Sequence, residues 1–543
     1  MSPARVTPPT LLHDMVDAGA ANWGAREALR HRHRGITYAE LAERSARLAV
    51  GLAARGVRRG DRVVVHLQNR PEIVELALAA SRLGAIFVPA NPLLRGRQLR
   101  HILQDSGARA LVCTDTALGT VAELGTAHGL ATLIVCDEID SARRTHAAVH
   151  RYEELLEERA HDFDVRAIDR DPAALLYTSG STGKPKAVVV SHRNFLSGAS
   201  IVAGYLGNVA DDRLCAALPL SFDYGFSQVT TAFTVGACAV LANYSTAAAL
   251  IQEVAAEKIT GLAGVPTMWA HLAEGEWPPS VVESLRYITN SGGVFPIPAL
   301  KKLQKRLVNT RVFCMYGLTE AFRSTYLDPA ELANRPGSMG KAIPNQEVVV
   351  VRPDGSRCGP DEPGELVHRG SLVTLGYWND IALTRHRFRP MPGANAGLCD
   401  EYAVWSGDLV RADADGYLYF IGRADQQIKT SGHRVSPSEI EEVVLEVPHV
   451  IEAVAVGLPD DVLGARIAVA VVGGTQSGSD LLSDIRHHCR KHLPSYMVPA
   501  HVQVVDSIAR NPNGKPDRAA VAAALERFVA TSGGDNVHAI RPR

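Results

Sequence analysis

Hydrophobic period switches repeatedly along this chain, and that alternation restricts its folds more than any other feature. Residues 37–60 place apolar side chains at helical spacing and stop at Gly60. DRVVVHL (61–67) then has the texture of a strand, 71–85 of a helix, 85–91 of a strand, 95–107 of a helix and 110–115 of a strand. Similar alternation runs from about 172 to 320. Strands that take turns with helices predict α/β units with largely parallel sheets. Between 337 and 423 the texture changes to short β-rich pieces (QEVVVVRPDGS, GELVHRG, GYLYFIGR) broken by Gly, Pro and Asp turns. These predict an antiparallel sheet or a small barrel. After Arg423 a compact α/β unit follows, with helices over 436–447 and 479–493 and strands over 450–459 and 466–472. The expected organisation is a core domain over 1–423, a small C-terminal α/β domain over 424–528 and a disordered tail over 529–543.

Composition narrows the function classes. The chain has 543 residues, 46% hydrophobic and 21% charged, the range of a soluble globular protein with a large core. Fifty-seven Lys+Arg stand against 58 Asp+Glu, so there is no basic excess of the kind a dedicated nucleic-acid binder carries. The eight cysteines are scattered and form no CxxC pair, which fits reduced thiols in a cytoplasm. The N-terminus lacks the apolar h-region of a signal peptide, and no run of about 18 apolar residues occurs. A cytoplasmic location and no membrane partner are therefore expected. Only ten of the basic residues are lysines, and none falls in the first 183 residues. Coding bias explains the imbalance, but it makes the position of each lysine informative.

The strongest chemical signal is LLYTSGSTGKPKAVVVSHRN (175–194). An apolar strand runs into a loop of Thr178, Ser179, Gly180, Ser181, Thr182 and Gly183, followed by Lys184 and Lys186. Glycines allow a tight backbone whose N–H groups converge on an anion, hydroxyls add donors and lysines add charge. That combination is a phosphate cradle. It is not a Walker A loop, because Pro185 stands where Ser or Thr would be needed.

The loop resembles the phosphate-binding signature of the AMP-forming, adenylate-forming superfamily: acyl-CoA synthetases, peptide-synthetase adenylation domains and luciferases. The likeness spans about residues 10–525, because further signatures follow in the family's order: Tyr316-Gly317-Leu318-Thr319-Glu320, Ser406-Gly407-Asp408, GRADQQIKTSGHRVSPSEIE (422–441) and NPNGKPDR (511–518). Ala187 departs from the Gly that usually follows the second lysine. The resemblance implies two α/β subdomains plus a β-barrel-like subdomain, followed by a mobile C-terminal domain. It also implies ATP and Mg²⁺. Tyr316 offers a face for adenine, and Gly292 and Gly293 let backbone approach the base. Thr319 suits the α-phosphate, Glu320 a Mg²⁺ ion, Asp408 the ribose hydroxyls, and Arg423 ribose or phosphate. Lys515 is the implied catalytic group, a compact ammonium set between the attacking carboxylate and the α-phosphate. The family's second step brings the face around Lys429-Thr430-Ser431-Gly432 to the site for thioester formation, with Asp425 at the hinge position.

Two features bear on the substrate. In PLSFDYGFSQ (219–228), Phe222-Asp223 resembles the Phe-Asp pair of amino-acid-activating domains, whose Asp binds the substrate ammonium. Asp223 could instead cap the following helix or pair with a protein cation. By the same carry-over Ser291 and Arg323 line the acyl pocket, and Tyr224, Gly264, Met315, Gly317 and Ser324 complete its wall. An inward Arg323 could bind a second carboxylate, which suggests an aspartate-like or β-amino dicarboxylic acid. An outward, salt-bridged Arg323 is the alternative. No Asp-Ser-Leu-type carrier segment follows, so the expected acceptor is the phosphopantetheine thiol of a separate carrier protein. An acyl-CoA synthetase for a fatty or aryl acid, with CoA as acceptor, is the runner-up. The basic helix SDIRHHCRKHL (483–493) could meet an acidic carrier, a CoA phosphate or simply solvent. A nucleotide-binding sensor without catalysis is disfavoured because Lys515 and the phosphate loop are both present.

Overall fold

The expected alternation is realised as two packed, mainly parallel sheets. In the computed structural model, residues 8–117, 130–138, 148–161, 163, 167–178, 185–393, 402–423, 427–473, 481–510 and 516–531 are described. A seven-stranded sheet runs in the order Ala148–Arg151, Thr132–Val135, Ala110–Cys113, Arg62–His66, Ile86–Pro89, Pro172–Thr178, Lys186–Ser191. All its pairs are parallel except the last, which closes as a hairpin with Thr178 opposite Lys186. The helices over Tyr38–Ala54, Pro71–Leu83 and Gly96–Ser106 fall where the 3.6-residue pattern puts them. The first starts on Thr37, whose side chain accepts from the Glu40 N–H, and ends at Ala54 rather than Gly60.

A nine-stranded sheet lies alongside and supplies the functional edge. Gly261–Gly264, Tyr287–Asn290 and Arg311–Tyr316 are adjacent and parallel within it. Their carboxyl ends therefore deliver Gly264, Ser291 and Tyr316 to one side of the sheet, where open α/β folds bind ligands. The hairpin Glu27–His31/Arg34–Thr37 extends the far end of this sheet; its short mixed strands carry no clear period in the sequence.

Residues 346–423 form an antiparallel five-stranded sheet rather than a closed barrel among the described residues. Strand Tyr402–Ala412 pairs with Gly364–Gly370, Phe388–Pro390 and Leu418–Arg423. The C-terminal unit has a small hairpin, Ile428–Thr430/His433–Val435, and a sheet of Val450–Asp460, Gly464–Gly473 and His501–Val504 covered by helices. Helix Arg518–Thr531 continues three residues past the expected boundary at 528; the rest of the tail lies outside the described residues. The seven described cysteines are free, and no described helix is long and apolar enough to cross a membrane.

Candidate active site

A cavity opens at the carboxyl ends of those parallel strands. Thr178, Asp223, Tyr224, Ser291, Thr319 and Arg323 line it, with Gly292, Gly317 and Leu318. Its other wall belongs to the C-terminal unit, through Lys429, Gly432, His433 and Arg434. Residues more than two hundred positions apart in sequence thus face one space.

Asp223 is the first residue of helix Asp223–Val235, whose N-cap is Phe222, so it does not cap that helix. Its carboxylate lies 3.6 Å from Nη1 of Arg323, and the two are 4% and 2% exposed. Arg323 therefore faces inward. The Phe322 carbonyl accepts from Nη1 at 2.7 Å, and the guanidinium carbon sits 4.6 Å from the Tyr224 ring centre. Nε and Nη2 of Arg323 have no hydrogen-bond partner among the described residues. Those two N–H groups form one edge of the guanidinium fork, the edge that matches a carboxylate. Burial pushes the Asp223 carboxyl up from its ordinary range, and Arg323 opposes that shift. The turn that aims Arg323 is unusual: Phe322 has φ +53° and is fully buried against Phe195.

The remaining expected wall residues divide. Ser291 and Gly317 line the cavity, and Tyr224 anchors its hydroxyl on Thr289 at 2.5 Å. Gly264, Met315 and Ser324 are not among the lining residues. A Cβ on Gly264 would lie 2.6 Å from the Trp269 ring, and Met315 accepts from the Tyr205 hydroxyl. Ser324 bonds His368 at 2.7 Å, while its neighbour Arg323 lines the cavity.

The residues expected around a nucleotide also converge. The Tyr316 hydroxyl donates to Asp408 at 2.5 Å, joining the adenine and ribose candidates directly. Asp408 is in register with Arg423 across the strand pair; the Arg423 side chain lies outside the described residues. Thr319 and Glu320 form a single 3-10 turn. Glu320 is buried, accepts from the Tyr377 hydroxyl at 2.6 Å through Oε1, and has no hydrogen-bond partner at Oε2 among the described residues. A buried carboxylate oxygen without a hydrogen bond fits a hard cation such as Mg²⁺. Gly292, at φ +85°, faces Gly432, whose Cα lies 3.7 Å from where a Cβ would stand, while Gly293 packs on Pro266. The close approach at Gly292 is thus to Val265, at 3.4 Å, and to the C-terminal unit through Gly432. Lys186 opens strand Lys186–Ser191. Ser179, Gly180, Ser181, Thr182, Gly183, Lys184, Asp425 and Lys515 lie outside the described residues.

Sequence reasoning missed the groups that join the two units. Arg434 Nη1 stands 3.7 Å from Glu320 Oε2. Gln98, on helix Gly96–Ser106, donates to the His492 carbonyl at 3.2 Å and approaches Glu439 at 3.4 Å. Arg97 bridges Glu442 and Glu446. His433 stacks on Tyr496 with ring centres 3.9 Å apart. Arg434 and Glu439 lie inside the quoted 422–441 run; Gln98 has no local signal at all.

A family model described as AMP-binding enzyme matches residues 16–378, and one described as AMP-binding enzyme C-terminal domain matches 439–515. A feruloyl-CoA synthase of Amycolatopsis sp is 32% identical over 92% of this chain and 98% of its own. An L-proline–[L-prolyl-carrier protein] ligase of Pseudomonas fluorescens is 30% identical over 95% and 99%. Among solved structures, a double mutant of o-succinylbenzoate CoA synthetase from Bacillus subtilis bound with its product analogue is 28% identical, covers 93% of this chain and 97% of its own, and has a TM-score of 0.79. The same enzyme in complex with its acyl-adenylate intermediate scores 0.65, so this chain superposes better on the product-analogue complex. VinN in complex with L-aspartate is 27% identical, covers 76% of this chain and 98% of its own, and has a TM-score of 0.64. The chain belongs to the AMP-binding enzyme family and is an AMP-forming ligase that activates a carboxylic acid.

Proposed function

We propose that the acid is an amino acid carrying a second carboxylate, of the aspartate or β-amino dicarboxylic type, and that the acyl group passes to the phosphopantetheine thiol of a separate carrier protein. The observation that carries this reading is the buried Asp223–Arg323 pair with one guanidinium edge unpartnered. A fatty acid or an unsubstituted aryl acid has no group beyond its reacting carboxylate to offer either charge. An amino dicarboxylate offers an ammonium to Asp223 and a carboxylate to Arg323, and each buried charge then gains a partner rather than losing one. VinN, solved with L-aspartate, supports the substrate class, and the prolyl-carrier protein ligase supports the acceptor.

In this reading the free carboxylate of the substrate attacks the α-phosphate of ATP, pyrophosphate leaves, and acyl-AMP remains. Tyr316 flanks the adenine, Asp408 accepts from the ribose hydroxyls, and Thr319 donates to the α-phosphate. Glu320 would hold Mg²⁺, which when bound neutralises phosphate charge. Thr178, the 179–184 loop and Lys186 cradle the phosphates. Lys515 neutralises the attacking and leaving oxygens, and Arg423 reaches ribose or phosphate. The C-terminal unit then turns about Asp425 so that Lys429 and Gly432 face the cavity, and the carrier thiol displaces AMP to give the thioester.

ATP–pyrophosphate exchange over amino dicarboxylic, β-amino, fatty and aryl acids tests the substrate. Exchange with aspartate-like acids, lost in Asp223→Ala, is the expected result. Exchange with aryl or fatty acids that survives Asp223→Ala would replace this reading with the CoA-ligase one. Lys515→Ala should lose exchange yet still transfer a supplied acyl-AMP; a carrier protein and CoA offered in parallel identify the acceptor.

A further inference from the structure

Glu320 is approached by a cation from the opposite unit. Its Oε1 is committed to Tyr377, while Oε2 has no hydrogen bond among the described residues and is 3.7 Å from Nη1 of Arg434. Arg434 is carried by strand His433–Val435, so this ion pair exists only when the C-terminal hairpin is seated on the cavity. The seat itself is tight: a Cβ on Gly432 would lie 2.9 Å from Val265 Cγ1. Arg434 also lowers the cost of a charged Asp223 nearby. Two buried carboxylates, Asp223 and Glu320, against Arg323 alone leave an excess negative charge, and Arg434 cancels it.

A divalent cation on Glu320 would perform the same neutralisation from the nucleotide side. The two compete for Oε2. A divalent cation held there would face the Arg434 guanidinium, whose Nη1 is 3.7 Å from that oxygen, and two positive charges so close in a buried site repel. We infer that Arg434 is a positioning residue for the transfer step: it pairs with Glu320 only when no divalent cation is held there, so the seated hairpin and the metal-bound site exclude one another. The inference rests on the proposed role of Glu320 as the residue that holds the ion. It gives the two half-reactions an order, because the hairpin seats fully only after the metal has left Glu320. Linkage makes the effect reciprocal: metal on Glu320 weakens the seating of the hairpin by the same factor by which the seated hairpin weakens the metal.

The test titrates the intact chain with Mn²⁺ in the presence of α,β-methylene-ATP. Electron paramagnetic resonance reads free Mn²⁺, and hydrogen exchange reads residues 428–435. In the wild type, Mn²⁺ should increase exchange across the hairpin. Arg434→Ala should bind Mn²⁺ about fivefold more tightly, at the low end of coupling between linked sites, with the hairpin exchanging fast before metal is added. Arg434→Lys should fall between the two. Equal Mn²⁺ affinity in wild type and Arg434→Ala, or a hairpin whose protection ignores Mn²⁺, overturns the inference. Glu320→Gln separates the causes. If it binds Mn²⁺ as the wild type does, the placement of the ion on Glu320 fails and the inference with it. If Glu320→Gln weakens Mn²⁺ but the Arg434 arm fails, the inference alone falls.

Discussion

At the scale of single residues, the decisive contact is between two groups one hundred positions apart. Asp223 and Arg323 were each legible, Asp223 from the Phe-Asp pair and Arg323 from its place after the YGLTE run. Their 3.6 Å contact was not, because it depends on a helix start and a strained turn meeting across the cavity. Arg323→Leu should reduce kcat/KM for an amino dicarboxylic acid by on the order of 100-fold, since charge-assisted hydrogen bonds contribute about 3 kcal/mol. For a mono-carboxylic β-amino acid the loss should be much smaller. A uniform loss across both substrates in steady-state kinetics would mean that Arg323 serves only to balance Asp223. Lys429 is one of four lysines, with 184, 186 and 515, that lie in the nucleotide or transfer motifs of a chain otherwise using arginine. It lines the cavity, and the other three lie in the phosphate loop region or outside the described residues.

At the scale of elements, long periodic segments were readable and contacts between them were not. Helices at 38–54, 71–83 and 96–106 follow from their apolar spacing. Nothing local announces that Glu75, fully buried on the second, is clamped by Arg44 of the first at 2.8 and 3.0 Å and by the Tyr152 hydroxyl. Removing one partner of such a buried pair leaves an uncompensated charge, so Arg44→Leu should destabilise the chain by about 3 kcal/mol in urea unfolding. A shift under about 0.5 kcal/mol would show that the pair adds no net stability over an apolar replacement. The C-terminal hairpin offers a second case. Gly432 has φ +80° and no room for a Cβ beside Val265. Gly432→Leu should therefore depress acyl transfer to the thiol by at least about 100-fold, and ATP–pyrophosphate exchange far less. Equal losses in the two half-reactions would show that the substitution damages the fold as a whole.

At the scale of the molecule, the two units meet through a buried acid, and this makes their association dependent on pH. Glu439 lines the cavity; Gln98 donates towards it, with Arg97 and Glu442 also close. Burial pushes its carboxyl up from 4.5 to about 7, more than Gln98 and Arg97 pull it down. The sign follows from proton binding. Between pH 4.5 and about 7 the folded, seated chain holds a proton that the unfolded chain has released, so the stabilisation present at low pH is lost as pH rises through that window. The full loss is about 3 kcal/mol at most. Gln98 lies on the N-terminal side of this contact and Glu439 on the C-terminal side, so the loss falls on their association. Glu439→Gln keeps the shape, cannot ionise, and should hold the melting temperature nearly level from pH 5 to 8 while the wild type declines. Parallel profiles for the two proteins would place the titrating group elsewhere. The flatter profile, together with greater hydrogen-exchange protection of residues 428–435 at pH 8 in Glu439→Gln, would mark Glu439 as a group that lets the units separate near neutral pH, as a two-step cycle with alternating orientations requires.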